Sequence, residues 1–216
     1  MAVRPNLTLA VKRLIRDVAE RLPELAHVEA ARVLVVAGEA RGTSRATIRA
    51  GQLGGARAGM KRRFIRLRGR EIRYVITLRP LWFLASTAEE RVATLLHELY
   101  HVSARFDGSL HRARRHARLP RARYDRHIQE LLARYLAAAP PELIAPFAGE
   151  GLVKIRMWLR VPRLEGARGA AGRDADEHLF QGYMPLLTRP PRPHAPPGAT
   201  RRHGKRGRGG DEEEGE

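Results

Sequence analysis

The chain contains 216 residues, of which 43% are apolar and 30% are charged, and it carries a formal net charge of +18. This length suits one ordinary domain with a tail, and the charges interrupt every run long enough to be a membrane-spanning helix, which needs about 20 apolar residues. Cysteine is absent, which excludes disulfides, thiolate zinc sites and a cysteine nucleophile and predicts an intracellular, cytoplasmic protein.

The first half of the chain predicts one helix followed by strands. Residues 7–22 have apolar side chains at helical spacing, with Asn6 as the N-cap and Pro23 ending the helix. β-Branched or alternating sequences predict strands at 32–37, 46–50 and 72–78. The intervening stretch 51–70 is rich in glycine and then in arginine, which favours a long loop or a β-excursion.

The second half predicts two further amphipathic helices. One begins near Ser86, because Ser86/Glu89 and Thr87/Glu90 both have capping-box spacing, and it ends before the turn at Asp107-Gly108. Its predicted inner face consists of Val92, Leu95, Leu96, Leu99 and Val102. The next helix covers 121–138 and is ended by Pro140-Pro141, and residues 152–161 suit a last strand.

The helix that begins near Ser86 contains the motif His97-Glu98-Leu99-Tyr100-His101, an HExxH sequence. On a helix, residues i and i+4 lie one turn apart on the same face, so both imidazoles can bind one metal ion. Glu98 lies beside that face, where its carboxylate can take a proton from the water that zinc activates near neutral pH. The alternative is that the two histidines only line a polar helix face.

A catalytic zinc site needs a third protein ligand and keeps one position for water. Two candidates follow the Asp107-Gly108 turn: His111, ten residues after His101, and His116, fifteen residues after it. Asp107 is a weaker candidate, since this residue type often caps a turn.

The segment from His97 to Leu136 resembles the phage metallopeptidase domain, a group of small zincin-like proteins, and is more distantly similar to SprT-like zinc peptidases. The resemblance rests on the HELxH helix, the Phe106-Asp107-Gly108 turn, His116, and the Tyr124-Asp125 pair that opens the next helix. It covers about residues 30–138 and implies zinc as the cofactor, with His97, His101 and His116 as ligands and Glu98 as the general base.

These observations predict an α+β fold: a minimal zincin-like domain in which a short mixed sheet packs on the N-terminal helix and the HExxH helix. The expected domain covers 1–162, followed by an irregular extension over 163–188. Residues 189–216 have no periodic apolar pattern and are expected to form a disordered tail, basic at first and then acidic.

The predicted activity is zinc-dependent hydrolysis of a peptide bond in a protein or peptide substrate. Glu98 would deprotonate the attacking water and pass the proton to the leaving amine. His127 is a possible stabiliser of the transition state, although a surface histidine is an equal alternative. An extended substrate is expected to add as a strand along the edge formed by 72–78.

Arginine supplies almost all of the positive charge, because only four of the 41 basic residues are lysines. The segments 61–73 and 112–126 contain seven basic residues each, and they predict nucleic-acid binding as an alternative to compositional bias. Two rival functions follow: a zinc-dependent nuclease, and a nucleic-acid-binding protein that keeps zinc only for stability. Neither requires a glutamate directly after the first histidine. A protease that acts on proteins associated with DNA is a variant of the main prediction.

Overall fold

A computed structural model describes residues 4–39, 44–53, 63–111, 121–159 and 178–187. Its helices are α1 (Leu7–Arg21), α2 (Ala88–Tyr100), α3 (Arg121–Ala138) and α4 (Pro141–Ala148). Its strands are β1 (Val33–Ala37), β2 (Ala46–Ala50), β3 (Ile65–Leu67), β4 (Arg70–Ile72), β5 (Tyr74–Leu78), β6 (Gly151–Trp158) and β7 (Leu179–Leu186). The predicted α+β class is confirmed. None of the described helices is both long and apolar enough to cross a membrane.

Five of the strands form one mixed sheet in the order β2-β5-β1-β6-β7. β1 is parallel to both β5 and β6, whereas β2 pairs antiparallel with β5 and β7 pairs antiparallel with β6. The two outer strands are therefore antiparallel additions to a parallel centre. β3 and β4 form a separate two-stranded hairpin.

The helices cover one face of this sheet and build the main core. Alternate residues of β1 and β5, such as Val35 and Ile76, point into this core together with the inner faces of all four helices. The five residues predicted for the inner face of α2 are all fully buried. This face therefore supplies the firm support that a site on α2 requires.

The hairpin β3–β4 covers part of the opposite face of the sheet. Ile65 and Ile72 of the hairpin pack against Leu34, Val36 and Val75 of the sheet in a second, smaller hydrophobic cluster. The excursion predicted for residues 51–70 thus returns to the sheet at its end instead of remaining a loop.

The predicted helix starts are confirmed in detail. Asn6 caps α1, and its side chain accepts a hydrogen bond from the N–H of Leu9 at 3.0 Å. At α2 the second of the two candidate capping boxes forms: the N–H of Glu90 donates to Oγ1 of Thr87 at 3.2 Å, and the N–H of Thr87 donates to Oε2 of Glu90 at 3.0 Å. These local contacts fix where α2, the helix that contains the HExxH motif, begins.

The structure differs from the sequence prediction in three elements. Pro140-Pro141 ends α3 but also begins a new helix, since proline is well tolerated in a first helical turn. Residues 179–186, expected to be irregular, form β7 and pair with β6 along its whole length. The expectation that 72–78 forms an edge is wrong, because β5 lies between β2 and β1 and the edge on that side is β2.

Arg91 of α2 is fully buried and connects three separate segments of the main chain. Its guanidinium donates to the carbonyl oxygens of Phe83 at 3.1 Å, Leu84 at 2.6 Å and Leu187 at 2.8 Å, and to that of Phe147. Burial lowers the pKa of Arg91 to about 10, which leaves the group charged at neutral pH. Arg91 thereby joins α2 to the end of α4 and to the residue that follows β7.

Candidate metal-binding active site

The last turn of α2 brings His97 and His101 together. Their ring centroids lie 5.0 Å apart with an interplanar angle of 84°. His101 is buried and ends the helix, and its N–H donates to the carbonyl oxygen of Glu98 at 3.2 Å. The pair therefore has the one-turn separation that the HExxH spacing predicts, on a helix end fixed by the core.

Glu98 lies between the two histidines in sequence and is only 6% exposed. Burial raises the pKa of its carboxyl to about 8, and a hydrogen bond from the main chain of Ile48 opposes this shift. Ile48 belongs to the edge strand β2. The candidate general base is thus held at the junction of α2 and the open edge of the sheet.

The orientation of β2 explains how Glu98 reaches Ile48. Arg45 and Gly51, on either side of the strand, bond toward the β5 side: the N–H of Arg79 donates to the Arg45 carbonyl at 2.9 Å, and the N–H of Gly51 donates to the Arg73 carbonyl at 2.7 Å. In an antiparallel pair the bonding direction alternates, so the intervening even-numbered residues direct their main-chain groups away from β5. Ile48 is one of them, which places Glu98 on the free side of β2.

Tyr124 of α3 is the residue at this site that sequence reasoning missed. It is only 2% exposed, and its hydroxyl lies 3.3 Å from Nε2 of His101 and 3.3 Å from the His97 carbonyl oxygen. Its ring centroid is 4.9 Å from that of His97. The only sequence signal was the Tyr124-Asp125 pair in the resemblance, which carries no role by itself.

The loop after α2 is a rigid turn in which Asp107 has a structural role. Oδ1 of Asp107 accepts hydrogen bonds from the N–H of Ser109 at 2.9 Å and from its hydroxyl at 2.6 Å. The hydroxyl of Tyr74 accepts from the N–H of Gly108 at 3.1 Å and donates to the Ser109 carbonyl at 2.7 Å. Gly108 has φ of +84°, and a Cβ there would lie 2.6 Å from the Phe64 ring, so only glycine fits this position.

The third ligand is not placed by the described residues. His116, the first choice, lies outside them. His111 follows the turn, and its N–H donates to the His101 carbonyl at 2.8 Å. Within the described ranges, no three His, Asp or Glu side chains are grouped as a metal site. The two imidazoles of His97 and His101 are donors that suit zinc, and the Glu98 carboxylate next to them suits a base.

His127 lies one turn after Tyr124 on α3 and contacts Tyr100, with ring centroids 4.7 Å apart. Its Nδ1 is 3.7 Å from Oε2 of Glu130. Tyr100 packs partly buried against the main core and lies 5.7 Å from the ring of Tyr124. Of the two α3 residues considered for the site, Tyr124 is thus the one whose polar atom contacts a motif histidine.

Comparison with protein families gives a match over more than half of the chain. The family model described as "Putative phage metallopeptidase" matches residues 6–125, from the N-cap of α1 to the first turn of α3. This range includes the HExxH motif and Tyr124. No match was found among curated proteins or among solved structures.

Proposed function

The chain belongs to the family described as Putative phage metallopeptidase, and on that premise we propose that it is a zinc-dependent peptidase that uses Glu98 as its general base. The observation that carries the proposal is the pairing of His97 with His101 at 5.0 Å beside the buried carboxyl of Glu98. Membership of the family indicates a metallopeptidase. The metal, the base and the ligands are our assignments.

His97 and His101 would hold the metal, with His116 as the third ligand and His111 as the alternative. When bound there, zinc supplies Lewis acidity, which makes water a usable nucleophile near neutral pH and polarises the scissile carbonyl. The role of the protein is to fix the two imidazoles. The burial of His101 and the capped, fully packed helix α2 support that role.

Glu98 would accept the proton of the attacking water and pass it to the leaving amine. Burial holds the pKa of its carboxyl at about 8 without a metal, and a neighbouring cation lowers such a pKa because it favours the carboxylate. The hydrogen bond from Ile48 fixes the carboxyl toward the edge of the sheet. With a metal bound at the two histidines, the Glu98 carboxyl would therefore be ionised. Once it has accepted a proton from the water, it would act as the acid that protonates the leaving amine.

The Tyr124 hydroxyl is our first choice for a hydrogen-bond donor to the oxyanion of the tetrahedral intermediate. Its 3.3 Å distance from Nε2 of His101 supports this role. His127 remains the second choice, because its ring contacts Tyr100 and its Nδ1 faces Glu130.

An extended peptide would add to the edge of β2 that no other described strand of the sheet covers. Strand addition supplies main-chain hydrogen bonds that tolerate many sequences. Because the even-numbered residues of β2 direct their main-chain groups away from β5, a peptide that donates to the Ile48 carbonyl would lie beside Glu98, which accepts from the Ile48 N–H. This replaces β5, an interior strand, as the docking edge.

The test is Glu98→Gln, assayed on a panel of unfolded protein substrates with and without DNA. Glutamine cannot accept the proton, so peptidase activity should fall by about 10²–10⁴-fold while zinc content stays unchanged. Glu89→Gln, on the exposed side of the same helix, is the matched control and should keep full activity. Activity of Glu98→Gln within about tenfold of the parent would show that Glu98 is not the base.

A further inference from the structure

A cleft lined mainly by arginine lies around the hairpin β3–β4, on the face of the sheet that the helices do not cover. Its volume is about 510 Å³. The lining residues are Arg32, Arg66, Arg68, Gly69, Arg70 and Glu71. We refer to this feature as the arginine cleft.

The hairpin presents these arginines on a firm support. Arg68 and Gly69 form its turn with φ of +49° and +72°, the backbone of a two-residue turn that matches the twist of the strands. Ile65 and Ile72 fix the other end of the hairpin against the sheet. Arg66, Arg68 and Arg70 are exposed at alternate positions around the turn, so their guanidinium groups reach solvent from a short, rigid ribbon.

One carboxylate lines the cleft, and arginines at its inner end surround it. Oε2 of Glu71 lies 3.0 Å from Nη2 of Arg73 and 4.0 Å from Nη2 of Arg32. The positive charges of the lining residues therefore outnumber the negative charge by four to one. The excess is concentrated at the exposed end of the hairpin.

The positive region continues from the hairpin to α1 and β6. Lys12 is largely buried and donates to the carbonyl oxygens of Ala30 and Val33. Burial is the main reason that its pKa is lowered to about 8, and the next causes are the charges of Arg156, Arg70 and Arg16. Arginines of three separate elements, α1, β4 and β6, thus lie close enough to Lys12 to lower its pKa.

We propose that the arginine cleft is a binding site for the phosphate backbone of duplex nucleic acid, and that this binding does not depend on the metal site. Guanidinium groups bind phosphate with two parallel hydrogen bonds, and an antiparallel two-stranded ribbon is narrow enough to enter a major groove. Four of the six lining residues are arginines, and contacts of arginine with phosphate carry no sequence information, so the proposed backbone binding is sequence-independent.

The test compares two triple variants of the full chain that change the charge equally. The first variant reverses the charge of three arginines of the cleft: Arg66→Glu, Arg68→Glu and Arg70→Glu. The second reverses the charge of three exposed arginines near the HExxH motif: Arg105→Glu, Arg123→Glu and Arg126→Glu. Each set replaces three positive charges with three negative charges. Binding to a labelled random DNA duplex is measured by fluorescence anisotropy between about 50 and 200 mM salt.

The cleft variant should bind the duplex at least about tenfold more weakly than the parent at low salt, whereas the control set should change affinity much less. The slope of log affinity against log salt should fall by about 2 to 3 for the cleft variant, since each lost phosphate contact removes about 0.9. Equal losses in the two sets would overturn the proposal, because the whole-chain charge would then be responsible. Absence of parent binding at low salt would overturn it as well.

Further measurements test whether the binding is specific for nucleic acid and whether the variants remain folded. Polyglutamate and anionic vesicles should bind the parent more weakly than the duplex, and equal or tighter binding to either would overturn the assignment to nucleic acid. If the glutamate set melts at a lower temperature than the parent, Arg66→Gln, Arg68→Gln and Arg70→Gln replace it, since they remove charge without adding repulsion. Glu98→Gln should bind the duplex as the parent does.

Discussion

The helix-covered face and the hairpin-covered face of the sheet hold their polar groups in opposite ways. On the helix face, Glu98, His101 and Arg91 are all less than 10% exposed and are enclosed by the main core. On the other face the buried cluster has only five members, and the arginines of the hairpin extend into water. Hydrolysis needs fixed groups with shifted pKa values, which deep burial provides, whereas a polyanion is attracted by charges that remain solvated.

The largest expected effect concerns the metal and separates the two faces directly. His97→Ala or His101→Ala should remove most of the zinc, expected at about one equivalent per chain, because each deletes a proposed ligand. Duplex binding by the arginine cleft should be unchanged. Elemental analysis of the purified variants measures the first and anisotropy the second. An unchanged metal content in the double variant His97→Ala, His101→Ala would contradict the assignment of these two residues as ligands.

The same measurement decides the third ligand. His116→Ala should cost most of the zinc affinity and His111→Ala little, because the resemblance favours His116. The opposite result would assign the ligand to His111, whose backbone is already bonded to His101.

The next effect tests how the helix face stabilises the transition state. Tyr124→Phe should lower kcat by about 10²-fold, with zinc content and KM little changed, because the donor is lost while the ring remains. Tyr100→Phe is the matched control from the same aromatic cluster and should keep its activity. If His127→Ala loses more activity than Tyr124→Phe, the donor is His127 instead.

The last effect is on stability and comes from the burial of Glu98. Its pKa is about 8 when folded, against an ordinary value of 4.5, so between these pH values the folded metal-free chain holds a proton that the unfolded chain has released. Rising pH therefore favours unfolding over this range. The metal-free Glu98→Gln variant lacks this contribution. Relative to the parent, its free energy of unfolding should therefore rise by a few kcal/mol between pH 5 and pH 8, at about 1.4 kcal/mol per pKa unit.

Urea denaturation of both chains after chelation measures this difference. Glu89→Gln, an exposed position on the same helix, should show no such trend. A difference between Glu98→Gln and the parent that is constant across pH would mean that Glu98 is not buried in the metal-free state.

Local sequence signals predicted the elements that depend on neighbouring residues. The Asn6 cap, the Thr87–Glu90 box and the bounds of α3 follow from short-range spacing, and all are confirmed. The strand β7 was missed because it contains glycine and proline and leaves Phe180 and Tyr183 exposed, so its sequence does not alternate clearly. Its stability depends on pairing with β6, a contact between distant segments.

The candidate site also contains residues that local sequence signals predict and a residue that they do not. The positions of His97, Glu98 and His101 follow from the period of one helix. Tyr124 comes from another helix, and its approach to His101 depends on how α3 packs on α2. The sequence also failed to identify β2 as the edge strand, because strand order is set by long-range pairing.

The main-chain partners of the buried Arg91 are synthesised at very different times. Two of the carbonyl groups that its guanidinium contacts belong to Phe147 and Leu187, far beyond residue 125, where the family match ends. Until those residues leave the ribosome, a buried charge in the metal-motif helix lacks hydrogen bonds that each contribute about 1.5–3 kcal/mol. In a nascent chain that ends before residue 187, Arg91 lacks one of its main-chain partners, and we expect the helix that carries His97 and Glu98 to pack less firmly.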